Sequence, residues 1–381
     1  MKVTGARVYL VPSGWSVLTI VQLLTDEGIY GLGEAGLHNV NRGTAVIAAE
    51  LVEKYALGQD PRHVERLWDG MYRGSFWARN GGAAIMAAMS AIEEACWDIA
   101  GKALGVPAYM LLGGKVRDRI RLYANGWYKR NATPTEFARQ AERVLADGFT
   151  ALKFDPFRYS SDDQGEIPFK SWDRHDIDVA VARVAAVREV VGPEVDILLE
   201  AHGWFDVNTA IEVGKRMEQF NLLAYEEPME PTNAQAMAQV AAGVRIPIAS
   251  GERLYTRFGF LPFLQAGALH VLQPDIGNTG GMLETRKIAA LADTFHLPIA
   301  PHNCWGPVAT AAAVNVDAST TNFLIQEWFA YESEEHYAVV DRPYEREAKG
   351  GYLEIPNDRP GLGVLLNEQV VKDSLFQEVK G

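Results

Sequence analysis

Six acidic or histidine residues recur along the chain at nearly constant spacing, and each ends a short apolar run. They are Glu200, Glu226, Glu252, Asp275, His302 and Glu327. Neighbouring members lie 23 to 27 residues apart, which is about the length of one strand, one helix and their loops in an alternating barrel. Polar side chains at the same end of successive parallel strands are how such a barrel builds an active site. The spacing therefore predicts a ring of functional side chains at the mouth of a TIM barrel.

Three of these residues form a candidate metal site. Glu200, Glu226 and Glu252 follow one another at intervals of 26 residues. Carboxylates without His or Cys suit Mg²⁺ better than zinc, because zinc favours nitrogen and sulfur ligands. Only one of Glu226 and Glu227 can face the barrel interior, since side chains alternate along a strand, and Glu226 keeps the regular spacing. We expect one Mg²⁺ per subunit, which would neutralise the charge that develops when a substrate carboxylate loses its α-proton.

The other three residues are candidates for proton transfer. Asp275 and His302 would stand on neighbouring strands, where a carboxylate fixes the imidazole tautomer and raises its basicity, as a general base requires. The alternatives are that Asp275 makes an Asx-turn and that His302 only bonds to backbone in a loop. Glu327 could donate a proton to an enolate oxygen or serve only as an ion-pair partner.

Strand alternation adds neighbours to this ring. Residues two apart along a strand point the same way, so His202 points with Glu200, and Lys153 points with Asp155. Lys153 is ambiguous on its own, because a lysine that ends a buried strand is costly unless it is paired.

Composition and charge restrict the class of protein. With 381 residues, of which 48% are hydrophobic and 22% charged, the chain can bury a large globular core. A net charge of −13 argues against a nucleic-acid or anionic-membrane partner. The first residues lack the apolar core of a signal peptide, no run is long enough for a membrane span, and two cysteines make no disulfide framework. We therefore expect a cytoplasmic protein.

Two blocks of different periodicity divide the chain. Strand-like alternation followed by helical periodicity predicts a small α+β domain over residues 1–115. Strand and helix patterns alternate over residues 116–328 and give eight strands, the number that closes a barrel. The predicted fold class is therefore α/β, a TIM barrel with an α+β domain beside it. The polar stretch at 156–175 is too long for a simple loop and is interpreted as an insertion over the barrel mouth.

These residues together resemble the enolase superfamily, in its mandelate racemase subgroup, and most closely its acid-sugar dehydratases of the galactonate and gluconate type. The six residues of the ring match, and His202 matches the histidine that these dehydratases use as an acid. Residues 91–114 resemble the long helix of the family's capping domain, and PGLG at 360–363 resembles the return of the C-terminal segment to that cap. The resemblance implies a modified (β/α)7β barrel, capped by residues 1–115 together with residues 329–381.

The function that this resemblance implies is Mg²⁺-dependent dehydration of a sugar acid, an aldonate such as galactonate or gluconate. His302 would remove the C2 proton, Lys153 and Glu327 would support the enediolate oxygens, and His202 would protonate the leaving 3-hydroxyl. The product would be a 2-keto-3-deoxy acid. A symmetric homo-oligomer is also expected. The alternatives are an epimerase, racemase or cycloisomerase that uses the same enediolate, and a non-enzymatic protein that binds sugar acids.

Two positions depart from the pattern of the family. Glu200 stands where the family usually has Asp, and Mg²⁺ tolerates poor octahedral geometry badly. Asp155 stands where racemases carry a second lysine, the base for the opposite face of the α-carbon. The absence of that lysine counts against racemisation.

The substrate contacts are expected to come mainly from the cap. Besides Asp155, the candidates are His38, Trp77, Arg79 and Asn80, with the turn at 13–16 and the pair Lys129–Arg130 as further possibilities. If the substrate is a diacid, Arg79 would meet its second carboxylate.

Overall fold

A computed structural model describes residues 1–14, 16–74, 76, 79, 81–128, 133–157 and 172–381 of the chain. The strands are β1 (Val3–Ser13), β2 (Ser16–Thr25), β3 (Tyr30–Ala35), β4 (Arg119–Asn125), β5 (Ala151–Phe154), β6 (Asp196–Glu200), β7 (Ala224–Glu226), β8 (Ile248–Ser250), β9 (Val271–Leu272), β10 (Gln326–Phe329), β11 (Tyr352–Glu354) and β12 (Leu375–Lys380). The helices are α1 (Asn41–Leu51), α2 (Val64–Gly74), α3 (Ala83–Leu104), α4 (Ala108–Leu111), α5 (Pro134–Ala146), α6 (Arg174–Val191), α7 (Val207–Met217), α8 (Ala234–Gly243), α9 (Thr256–Gln265), α10 (Ile276–Thr279), α11 (Met282–Thr294), α12 (Pro307–Ser319), α13 (Glu334–Tyr337) and α14 (Glu368–Val371). A π-helical turn at Val52–Ala56 extends α1, and 3-10 turns lie at Glu218–Phe220 and Tyr344–Arg346.

The first three strands and β12 together form a four-stranded antiparallel sheet, in the order β12-β1-β2-β3. The helix α3 lies directly on β3, so there is no room for side chains between them. A Cβ atom added at Gly31 or Gly33 would lie about 2 Å from the carbonyl oxygens of Ala95 and Ala91. These glycines are therefore required by the close approach of strand and helix.

The second sheet is a barrel of parallel strands, in the order β10-β4-β5-β6-β7-β8-β9. The ring is closed by the extended residues 298–300. Leu272 donates its N–H to the carbonyl of Pro298 at 3.1 Å, and Ile299 donates to the carbonyl of Asn322 at 2.9 Å. Helices follow each of the first seven barrel strands, and β10 is last. The predicted (β/α)7β barrel with an antiparallel cap is confirmed.

In the described chain, eight buried side chains fill the barrel just below its mouth. They are Tyr123, Ala151, Leu198, Ala224, Ala249, Val271, Ala300 and Ile325. Two residues after six of these come Asn125, Lys153, Glu200, Glu226, His302 and Glu327. Because side chains alternate along a strand, these six emerge on the same inner side, one level higher. Strand periodicity therefore places the candidate site directly on the packed barrel core.

Buried carboxylates join the cap to the barrel helices. Glu34 on β3 accepts hydrogen bonds from the N–H groups of Gly306 at 2.7 Å and Ala309 at 3.2 Å, at the start of α12. Glu93 on α3 accepts from Met282 at 2.8 Å, at the start of α11. Each acid satisfies orphan donors at a helix N-terminus and meets the positive end of its dipole. These contacts fix the cap on the side of the barrel that carries Asp275 and His302.

The segment after β10 contacts both parts of the molecule. β11 pairs antiparallel with β4, and β12 pairs antiparallel with β1. Asp98 on α3 accepts the Leu362 N–H at 2.8 Å, within the PGLG sequence. No helix in the described ranges is long and apolar enough to cross a membrane.

Replacing Glu345 with Gln should change how stability depends on pH. Burial raises the pKa of Glu345 to about 7, and neither oxygen of its carboxylate has a hydrogen-bond partner among the described residues. The folded protein therefore binds this proton more tightly than the unfolded chain, and the free energy of unfolding falls as the pH rises from about 4.5 to about 7. One unit of pKa shift corresponds to about 1.4 kcal/mol, so wild type should lose roughly 2–3 kcal/mol relative to Glu345→Gln between pH 5 and pH 8.

Urea unfolding of both proteins at the two pH values measures this difference. Acids that do not interact with Glu345 affect both proteins alike and cancel in the comparison. Parallel pH profiles for wild type and Glu345→Gln would contradict the prediction.

Candidate active site

Lys153 lies at the centre of the barrel mouth, surrounded by three of the predicted acids. Its Nζ atom is 2.6 Å from Glu226 Oε1, 2.8 Å from Glu327 Oε1 and 3.3 Å from Glu200 Oε2. The lysine is 2% exposed, so these interactions are almost unscreened by solvent. The register places Glu200 directly beside Glu226 on neighbouring strands.

The charges at this cluster decide which groups are ionised. Burial alone would lower the pKa of Lys153, but the carboxylates of Glu226 and Glu327 outweigh it and raise that pKa well above its usual value. Burial raises the pKa of Glu226 well above its usual value, and the neighbouring charge of Glu200 adds to the rise. Burial would also raise the pKa of Glu327, yet Lys153 and His302 lower it. These neighbours favour the carboxylate form of Glu327 and the ammonium form of Lys153. The proton-donor role considered for Glu327 stays a prediction.

The predicted dyad is assembled across neighbouring barrel positions. His302 Nδ1 is 2.6 Å from Asp275 Oδ2, and the same oxygen accepts the indole N–H of Trp305 at 2.6 Å. On its other side, His302 Nε2 is 2.9 Å from Glu252 Oε2. Burial alone would lower the pKa of His302, but Glu252 and Glu327 raise it well above its usual value. The imidazole is therefore held between two carboxylates, and Asp275 orients it.

A second histidine–carboxylate pair faces the first across the mouth. His202 Nδ1 is 2.7 Å from Asp155 Oδ2, and Phe157 N–H donates to Asp155 Oδ1 at 2.7 Å. Asp155 is completely buried, whereas the His202 side chain is 31% exposed. The backbone of His202 has a φ of 47° and its N–H donates to Glu200 Oε1 at 2.7 Å. Asp155 therefore orients His202, and His202 presents its partly exposed ring to the mouth. The predicted contact of Asp155 with substrate stays a prediction.

The adjacent acids Glu226 and Glu227 point to different partners. Glu226 points into the barrel mouth, the orientation that the regular spacing predicts, and contacts Lys153 there. Glu227 accepts the Ser250 hydroxyl at 2.6 Å and pairs with the guanidinium of Arg253. It is therefore separate from the Lys153 cluster.

The three predicted metal ligands can be tested against these contacts. In the described parts of the chain, no three His, Cys, Asp or Glu side chains are arranged so that they could hold a metal ion. The reason is that Glu226 and Glu200 are turned to Lys153, and Glu252 is turned to His302. The donor set nevertheless fits a hard cation: Glu226 Oε2 is buried without a hydrogen-bond partner among the described residues, next to the carboxylate of Glu200. A cation there would relieve the repulsion that raises the pKa of Glu226.

The predicted substrate contacts from the cap are only partly placed. His38 lies beside the dyad, with its ring centroid 4.3 Å from that of Trp305. Arg79 is exposed and donates to the carbonyl of Arg73 at 3.2 Å, so the structure does not bring it to the other site residues. In the 13–16 turn, the Ser13 hydroxyl is 2.6 Å from His336 Nδ1.

Several predicted contacts lie outside the described residues. They are Trp77, Asn80, the pair Lys129–Arg130 and, within the polar stretch at 156–175, residues 158–171.

Sequence reasoning missed two residues of the site. Asn125 donates to Glu327 Oε1 at 2.6 Å and ends β4, so the same strand-end rule that found Glu327 could have found it. Trp305 comes from the loop after His302, where no periodicity applies. Its contact with Asp275 depends on the path of that loop and carries no sequence signal.

Two family models match the chain. The model described as mandelate racemase / muconate lactonizing enzyme, N-terminal domain, matches residues 13–113. The model described as enolase C-terminal domain-like matches residues 136–370.

Individual relatives are similar over nearly the whole chain. D-galactonate dehydratase of Verminephrobacter eiseniae is 38% identical, covering 97% of this chain and 94% of the relative. D-gluconate/D-galactonate dehydratase of Picrophilus torridus is 35% identical, covering 96% and 90%. Among solved structures, a member of the enolase superfamily from Salmonella Typhimurium superimposes with a TM-score of 0.94 at 35% identity, covering all of both chains. Fold and sequence therefore agree over the cap and the barrel together.

Proposed function

Because the chain belongs to the mandelate racemase and muconate lactonizing enzyme family of the enolase superfamily, we propose that it dehydrates a sugar acid. The observation that carries the proposal is the pair of histidine–carboxylate dyads, His302–Asp275 and His202–Asp155, which follow strands on opposite sides of the barrel. One dyad can remove a proton while the other delivers one. Relatives named for dehydration of galactonate and gluconate support the same reaction.

The reaction assigns one task to each group. His302 accepts the C2 proton through Nε2, with Asp275 holding Nδ1. Lys153 donates hydrogen bonds to the oxygens of the resulting enediolate. The C3–O bond then breaks and the hydroxyl takes a proton from His202, leaving as water. The enol that remains tautomerises to the 2-keto-3-deoxy acid. Since Glu252 favours the protonated form of His302 when it contacts Nε2, the base form requires Glu252 to be engaged elsewhere.

Glu200, Glu226 and Glu252 are the residues that would hold Mg²⁺. Enolase-superfamily sites use a Lys or His base together with Mg²⁺. When bound, the ion supplies positive charge for the substrate carboxylate and for the enediolate that forms from it. Glu200 is one methylene longer than the Asp usual at this position in the family. Its carboxylate also accepts a hydrogen bond from the His202 N–H.

Magnesium should stabilise the protein, and Glu226→Gln should abolish that effect. A ligand at 100 times its Kd raises the free energy of unfolding by about 2.7 kcal/mol. Calorimetric titration and thermal unfolding with and without Mg²⁺ measure the effect without any substrate. Glu230→Gln is the matched control, because the Glu230 side chain is exposed and its carboxylate lies 3.5 Å from the Arg253 guanidinium. A Mg²⁺-dependent shift of the same size in Glu226→Gln would overturn the assignment of this ligand.

The substrate is an aldonate such as galactonate or gluconate. A screen of aldonic and aldaric acids with Mg²⁺, scored by semicarbazide for 2-keto acid, tests the proposal. Turnover that gives an epimer or a lactone without 2-keto acid would favour the alternative reactions of the same enediolate. That alternative is weakened by Asp155, which stands where a racemase needs a second base. Mg²⁺ binding without turnover of any acid would favour a sugar-acid-binding protein.

Assembly and location remain predictions from the sequence. We propose a homo-oligomer in the cytoplasm that acts on a small-molecule sugar acid, without a nucleic-acid or membrane partner.

A further inference from the structure

We infer that Trp305 is a positioning residue that transmits the placement of the cap to the His302–Asp275 dyad. The inference rests on the proposed proton abstraction by His302, and it adds a residue that neither strand periodicity nor the proposed function assigns.

The first observation is how Asp275 is shared. Its Oδ2 atom accepts both His302 Nδ1 and Trp305 Nε1, each at 2.6 Å. Its Oδ1 atom has no hydrogen-bond partner among the described residues. The carboxylate is therefore held by these two donors on one oxygen, and removal of the indole N–H would leave His302 as the only hydrogen-bonding anchor of that side chain within the described chain.

The second observation is that residues of the cap are in close contact with the same indole. A Cβ atom added at Gly36, one residue after β3, would lie 2.6 Å from Trp305 Nε1 and 3.0 Å from the carbonyl carbon of Gly277. Gly36 also donates its N–H to Gly277 at 2.8 Å. The His38 ring, also from the cap, packs against the same indole, with its centroid 4.3 Å from that of Trp305. The indole is thus enclosed between the exit of β3 and the loop that follows Asp275.

The third observation is that the loop carrying Trp305 is itself anchored to the cap. Gly306, the next residue, donates its N–H to Glu34 on β3 at 2.7 Å. Trp305 is only 8% exposed, and its ring meets that of His302 edge-on with centroids 6.2 Å apart. The position of β3 therefore determines the indole position, and the indole determines where Asp275 aims the imidazole.

The test begins with Trp305→Phe, which removes the N–H but keeps an aromatic ring. Loss of a residue that orients a catalytic histidine through its carboxylate typically costs 10- to 100-fold in activity. We expect kcat to fall by about 10- to 100-fold with KM changed less than about twofold, because the substrate contacts remain. Trp97→Phe is the matched control: its Nε1 also donates to a carboxylate, Glu93 Oε1 at 2.7 Å, but on the cap helix α3. Unchanged kcat in Trp305→Phe would overturn the inference.

A double-mutant cycle separates positioning through Asp275 from general support of the loop. In an Asp275→Asn background, Trp305→Phe should lower kcat by less than about twofold, since the group it positions is already altered. Losses that multiply in the double variant would overturn the inference.

A substitution in the cap should reproduce the loss of kcat while leaving Trp305 itself unmutated. Gly36→Ala should lower kcat in the same way as Trp305→Phe, because the added methyl group must displace the indole or the strand. Gly43→Ala is the control, since a Cβ atom there meets nothing within 4 Å. Full activity of Gly36→Ala would contradict the inference that the cap positions the dyad through Trp305.

A spectroscopic signature makes the test independent of turnover. In protein with ¹⁵N-labelled histidine, the low-field Nδ1–H resonance of His302, assigned by its loss in His302→Asn, should shift in Trp305→Phe and stay in place in Trp97→Phe. If wild type dehydrates no sugar acid but this resonance shifts, the proposed function fails and the positioning role stands. If wild type is active and the resonance does not move, the positioning role fails.

Discussion

His302→Asn should lower kcat for dehydration by about 100- to 10,000-fold, the contribution typical of a positioned general base. Asn matches His in shape as far as the δ atoms of the side chain, but it cannot accept a proton at neutral pH. The exchange of the substrate C2 proton with solvent should be lost together with dehydration, because both begin at the same C–H bond. Measurement of deuterium incorporation in D₂O alongside 2-keto acid formation distinguishes loss of proton abstraction from loss of a later step.

The matched control for this substitution is His296→Asn. His296 is exposed and has a φ of 59°, a conformation that Asn adopts readily, so the control should fold and turn over like wild type. Full dehydration activity in His302→Asn would show that the base is another group. Retained C2 exchange without dehydration would instead move His302 to the leaving-group step.

Lys153→Met should destabilise the protein by about 3–5 kcal/mol and abolish turnover. Removing one partner from a buried ion pair leaves uncompensated charge, and this is the cost usually observed. Here the remaining carboxylates of Glu226, Glu327 and Glu200 would face one another with no cation between them. The methionine fills most of the lost volume, so the loss in stability would report on charge rather than on a cavity.

Chemical unfolding without divalent cations measures the stability loss, and Lys54→Met serves as the control. Lys54 is exposed, and surface substitutions usually stay within about 0.5 kcal/mol. Stability of Lys153→Met within that margin would mean that the three acids are not held by Lys153 in solution. Mg²⁺ should restore part of the lost stability, because it would offset the same charges.

Much of the barrel mouth could be predicted because strand periodicity is a strict local rule. Once Tyr123, Ala224 and Ile325 are known to face inward, the residues two further along must emerge on the same side. This rule selects Glu226 over Glu227 and would also have found Asn125. Glu252 and Asp275 do not obey it simply, since they follow the ends of β8 and β9. Their placement depended on the spacing of the whole ring.

The remaining contacts depend on where loops travel, and local sequence does not encode that. The partner of His202 is Asp155, which lies 47 residues earlier, and the parallel pairing of β5 with β6 brings the two together. The pairing gives Asp155 an orienting role toward His202 that the sequence did not predict. Similarly, Trp305 reaches Asp275 from a loop, and the exposed position of Arg79 follows from the path of the chain after α2.

The pairing of β1 with β12 has a consequence for how the protein matures on the ribosome. β1 is synthesised before the barrel and β12 after it, so the outer edge of β1 is covered only when residues 375–380 pair with it. During synthesis of the entire barrel, which at cellular rates takes on the order of tens of seconds, that edge presents unpaired backbone groups to other chains. The cap sheet is therefore completed only after the whole barrel has been synthesised. A nascent chain that stalls after the barrel would carry all six residues of the mouth but would still expose the unpaired edge of β1, which can pair with other chains.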